Sequence, residues 1–193
     1  MTILHLLGII GALLITGSYI PYIYHILKGT TKPHMYTWIL WSLTPLLAAE
    51  AIFEGGGGIF SAINIGVGSI LATIILLLSF RYGSKNITTF DTVALTTGLL
   101  AAIVWWYFDS PLIAISMVAF IEAVGFLPTY RKIWNEPWSE STVAWSLFVS
   151  GNICALAALD QYNLVTTLYI VTMIVASSTL ILLSSHRRRT FWQ

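Results

Sequence analysis

Charge is what this chain has least of. Of 193 residues, 17 are Asp, Glu, Lys or Arg, and they almost cancel to a net +1. Soluble domains carry about 25% charged residues; this chain carries 9%. That excludes a disordered segment, a charged coiled coil and an ordinary soluble enzyme. It also excludes a nucleic-acid-binding surface, which needs Lys and Arg clustered on one face. Cysteine is nearly absent. Cys154 alone can close no internal disulfide and build no zinc cage, so it reads as a small buried hydrophobe. The signature sequences of serine hydrolases, zinc proteases, dithiol redox centres and phosphate loops are missing. The glycine run from Gly55 to Gly58 is not followed by the Lys-Ser or Lys-Thr of a phosphate loop and reads as a flexible turn. No catalytic residue, cofactor or metal site is expected.

What the chain has in abundance is apolar sequence: 57% hydrophobic residues and a mean hydropathy of +0.83. No Asp, Glu, Lys or Arg occurs from Met1 to Leu27, Pro33 to Ala49, Gly55 to Phe80, Thr92 to Phe108, Ser141 to Leu159 or Gln161 to His186. A seventh run, Ser110 to Tyr130, is interrupted only by Glu122. A spanning helix needs about 20 apolar residues, so seven runs predict seven transmembrane helices. Together they take about 140 residues, which leaves no room for a soluble domain. The first run lacks a basic leader and is too long for the core of a signal peptide, so it reads as the first span.

All nine basic residues fall on one side of a seven-helix path. Lys28 and Lys32 follow helix 1, Arg81 and Lys85 helix 3, Arg131 and Lys132 helix 5, and Arg187, Arg188 and Arg189 helix 7. The positive-inside rule then places the N-terminus outside and the C-terminus in the cytoplasm. Glu54, Asp109 and Asp160 lie on the opposite side. Trp105, Trp106 and Tyr107 end helix 4 as an interfacial aromatic belt would. Trp38, Trp41 and Trp145 open helices 2 and 6 and read either as belt residues or as an inner gate.

The chain also resembles itself. A shift of 107 residues aligns Pro21-Tyr22 with Pro128-Thr129, and Trp38 and Leu40 with Trp145 and Leu147. The unit is three helices. Residues 1–83 form the first, 110–193 the second, and 84–109 a linker helix. An odd linker keeps the two units parallel, related by an axis along the membrane normal.

Glu122 lies about 10 residues into helix 5, or about 15 Å deep, near the bilayer midplane. An ionisable group there is costly and marks a functional site by default. It reads as a proton site or as counter-ion to a cationic substrate; a structural hydrogen bond between helices is the competing reading. Asn64, about 6 residues into helix 3, and Asn152, about 10 residues into helix 6, are polar groups at membrane depth that either bind solute or bond neighbouring helices. Pro21, Pro45 and Pro128 each remove a helix hydrogen bond, which makes them hinges or static kinks. Glu50 and Glu54, four residues apart, share one face at a helix end and read as solvated carboxylates.

This pattern resembles the PQ-loop superfamily, and the SWEET and SemiSWEET facilitators in particular. The 3+1+3 plan, the paired prolines and the Ser61–Gly68 segment around Asn64 carry the likeness. The Lys32-Pro33-His34 and Gly125–Thr129 segments are similar to bacterial seven-helix membrane proteins of unassigned function. The resemblance implies an integral membrane protein that moves a small polar solute by alternating access, with Asn64 in the solute site and Pro21, Pro45 and Pro128 as three members of a proline tetrad. Asn152 stands where the fourth would be, and Tyr22 and Thr129 stand where the name-giving Gln would follow the prolines. The alternative within the same superfamily is a receptor or scaffold that transports nothing. The expected setting is a prokaryotic cytoplasmic membrane. The expected partners are the lipid bilayer and a small solute, not nucleic acid, and a homodimer is left open.

Overall fold

A computed structural model describes residues 3–54, 56, 59–107 and 110–190, with the side chains of 46, 47, 50–52, 54, 59–66, 104–106 and 111 outside the description. Among the described residues seven helices follow one another: α1 (Ile3–Leu27), α2 (Met35–Glu54), α3 (Ile59–Tyr82), α4 (Thr89–Trp106), α5 (Pro111–Asn135), α6 (Thr142–Ala157) and α7 (Leu164–Thr190). There is no strand among the described residues. Among the described residues, three helical stretches, Ile3–Leu27, Leu112–Asn135 and Leu164–Thr190, are long and apolar enough to cross a membrane, each holding an 18-residue window with a mean hydropathy of 2.0. Shorter apolar helices cover Val67–Tyr82, Thr89–Ile103 and Thr142–Ala157.

Local chemistry sets the helix ends. Gly29, at φ 73, turns the chain out of α1 in a conformation that disfavours other residues. Asp91 accepts from the Thr88 backbone N–H at 2.7 Å and from its hydroxyl at 2.9 Å, closing the start of α4. Pro111 opens α5, where a missing N–H costs nothing. Ser141 caps α6, its hydroxyl accepting from the Ala144 N–H.

α1 packs on α3 and α6, α2 on α3 and α5, α5 on α4 and α7, and α6 on α7. α4 lies at the periphery, against α5 and, less closely, α2. One end of the bundle gathers the basic residues: Lys132 Nζ donates to the Lys32 carbonyl, Arg131 to the Asn86 carbonyl and Arg188 to the Pro137 carbonyl. The surface is apolar, with Leu13, Ile20, Leu77 and Leu182 well exposed, while Glu122, Thr37, Thr44, Asn152 and Ser177 are buried. Polar inside and apolar outside is the arrangement of a helical membrane protein.

Candidate functional site

A cavity of about 60 Å³ lies among α1, α2, α3, α5, α6 and α7, with room for roughly four waters. Its walls come in pairs. Ile15 and Glu122, Trp38 and Trp145, Trp41 and Phe148, and Pro45 and Asn152 all line it, the members of each pair standing 107 positions apart.

Glu122 is its one acidic group among the described residues. The carboxyl is fully buried; Oε1 accepts from the Thr44 hydroxyl across the α2–α5 contact, and Oε2 has no partner. Asn152 is buried on the far wall, its Nδ2 donating to the Phe148 carbonyl at 2.9 Å. Glu122, Asn152 and Pro45 therefore meet around one space. Pro21 and Pro128 sit inside α1 and α5, away from the cavity lining. The residue after each proline makes a contact between distant segments of the chain. Tyr22 reaches Glu140, and the Thr129 hydroxyl meets that of Thr37 at 3.0 Å. The side chains of Asn64, Glu50, Glu54, Trp105 and Trp106, along with Gly55, Gly57, Gly58 and Asp109, lie outside the described residues. Tyr107 is exposed.

The aromatic floor corrects the belt reading. Trp38, Trp41 and Trp145 are each 5% exposed and line the cavity rather than facing lipid. Trp38 and Trp41 lie 5.2 Å apart, Trp41 and Trp145 5.7 Å, and Trp145 and Phe148 5.8 Å, with the rings of each pair turned 73–82° to one another. Edge-to-face packing makes them corners of a box rather than a flat stack. They turn inward because α1 and α5 present Tyr22 and Phe126 for them to pack on.

Beneath this floor is a buried ion pair. Lys132 Nζ donates to Glu140 Oε1, and both side chains are all but inaccessible. Tyr22 donates to the same oxygen at 3.2 Å, and Trp145 Nε1 to Oε2 at 2.9 Å. Charge pairing and hydrogen bonds together make such burial tolerable. One carboxylate thus ties α1, α5 and α6 together below the cavity. A second, Asp91, is held by Arg131 at 2.8 and 2.7 Å, with His34 Nε2 at 3.5 Å. Burial pushes the His34 imidazole down to about 4; Lys132 and Arg131 add to the shift and Asp91 opposes it.

Sequence reasoning missed Tyr22, Lys132 and Glu140 as site residues. A signal was present: three of the eight acids, Asp91, Glu136 and Glu140, fall on the basic side of the chain, where lone carboxylates want partners. Among the described residues, they are the ones that pair, with Arg131, Lys32 and Lys132. Among the described residues, no group of three or more His, Cys, Asp or Glu could hold a metal ion. No protein-family model matches this chain, and no curated protein matches it.

Proposed function

We propose that this chain is a membrane carrier of the PQ-loop type, similar in plan to the SWEET facilitators, moving a small polar solute by alternating access. All seven helices span a prokaryotic cytoplasmic membrane, with the N-terminus outside. Residues 1–83 and 110–193 form two parallel three-helix units that rock about the solute, and 84–109 links them. The observation that carries this reading is the cavity itself: a buried carboxyl and an aromatic box between the two sets of helices, plugged at the basic end by Glu140 and Lys132. Helix pairing supports it. α1 meets α3 and α6 as α5 meets α7 and α2, and α2 meets α3 as α6 meets α7. α6 has 16 residues and reaches about 24 Å, against a hydrocarbon core of about 30 Å. Local thinning of the bilayer absorbs a mismatch of that size.

In this cycle the Glu140 cluster is the inner gate. Tyr22 and Trp145 are at once cavity walls and donors to the gate carboxylate, so a solute that displaces either ring loosens the latch. Uptake into proteoliposomes tests the reading, with pooled sugars, amino acids, vitamins, amines and organic acids, with and without a pH gradient. Saturable uptake is the expected result. Folded protein that moves none of the pools overturns the carrier in favour of a receptor or scaffold. Where uptake follows a proton gradient, Glu122→Gln removes that dependence; unchanged pH dependence rejects Glu122 as the proton carrier.

A further inference from the structure

The polar groups of the cavity are unevenly spent. Tyr19 donates to the Gly68 carbonyl, Ser18 to that of Ile15, Asn152 to that of Phe148, Thr44 to Glu122, and Tyr22 and Trp145 to Glu140. The buried polar atoms of the described lining left without a partner are one carboxylate oxygen, Glu122 Oε2, and one indole N–H, Trp41 Nε1, beside the π faces of the aromatic walls. A polyol such as a sugar brings several hydroxyls, and each one buried without a partner costs about 1–3 kcal/mol. An anion finds no Lys or Arg among the lining residues, because Lys132 lies below the floor and is committed to Glu140. The complement of a single acidic group inside aromatic walls is a ligand with one positive charge and an apolar body, and the Trp41 N–H is left to donate to a ligand oxygen such as the hydroxyl of an amino alcohol.

The geometry points to a small organic cation, an amine or quaternary ammonium, as the ligand of this cavity, held by the Glu122 carboxylate with Trp38, Trp41, Trp145 and Phe148 around its apolar part. This deepens the carrier reading by naming its substrate class, and the binding it requires stands apart from flux. The pseudo-equivalent of Glu122 is Ile15, so the site carries one counter-charge and fits a monocation.

The probes are methylammonium, ethanolamine and choline, with the neutral carbon isostere of choline as control. Binding is followed on the full chain in nanodiscs by tryptophan fluorescence, because three of the wall residues are tryptophans. At least one cation is expected to bind about tenfold tighter than the neutral isostere. Glu122→Gln, which keeps an acceptor for Thr44, should remove that preference and leave binding of the isostere unchanged. Binding of none of the three cations, or of none more tightly than the isostere, overturns the inference on the unsubstituted protein, whether or not the variant folds. A preference that survives Glu122→Gln overturns the role of the carboxylate. Proteoliposome flux separates the two readings. Saturable uptake of a neutral solute without cation binding leaves the carrier standing and removes this inference. Glu122-dependent cation binding without flux does the reverse.

Discussion

Gly11 of α1 and Gly151 of α6 meet face to face: a Cβ on either would stand 2.9 Å from the carbonyl oxygen of the other. A Cβ on Gly151 would also fall 2.6 Å from Cγ1 of Ile15. Two backbones this close leave no space for a side chain, which is how small residues let membrane helices approach. At the corresponding crossing of α5 and α2, the places of Ile15 and Gly151 are taken by Glu122 and Thr44, which are hydrogen-bonded. The α1–α6 crossing is sealed by packing and the α2–α5 crossing by a polar pair.

Gly151→Ala and Gly11→Ala should each destabilise the protein by about 1–3 kcal/mol through overpacking. Gly17→Ala is the control, because nothing lies within 4 Å of its added Cβ; helix propensity makes it neutral or slightly stabilising. Thermal unfolding midpoints in detergent distinguish them. A Gly151→Ala midpoint equal to that of Gly17→Ala would mean α1 and α6 do not cross at these residues.

Glu140→Gln and Lys132→Met each strand a buried charge and should cost about 3–5 kcal/mol. The double variant should cost less than the sum, because its charges disappear together. A double-mutant cycle on unfolding midpoints measures the coupling. Additive losses would show that the two groups do not pair.

His34 makes stability depend on pH. Its imidazole titrates near 6.5 when unfolded and is held down to about 4 when folded. The folded state favours the neutral ring, so this contribution is complete above 6.5 and is lost as the pH falls towards 4, by up to about 1.4 kcal/mol for each pH unit. His34→Gln should flatten the midpoint-against-pH curve in that window. A curve unchanged by the substitution would assign the acid sensitivity elsewhere.

Arg131 both grips Asp91 and repels a protonated His34. Arg131→Met should therefore strand a buried carboxylate, at about 3–5 kcal/mol, and let His34 keep its proton at higher pH. The imidazole proton shifts of the variant, followed against pH, check the second effect. A His34 titration at unchanged or lower pH contradicts it.

Much of this protein follows from local composition. Helix-length apolar runs are a one-dimensional property, so the positions of the helices and the place of Glu122 along α5 are legible in the residues. Glu122 and Asn152 stood out because a polar group inside an apolar run is visible without knowing its neighbours. Which face of each helix turns inward was not legible. In a water-soluble protein the apolar stripe points to the core, but here lipid and protein interior are equally apolar, so hydrophobicity cannot tell them apart. That is why Trp38, Trp41 and Trp145 leave the belt and the inner gate both open in the sequence, although their side chains form the cavity floor. It is also why Glu140 drew no notice as a loop acid. Its burial depends on Tyr22, 118 positions away, and on Lys132 and Trp145 on the neighbouring helices α5 and α6. Local composition places the helices and the buried acid along α5; which side chains face one another is set by contacts between segments far apart in the chain, and those exist only in the folded bundle.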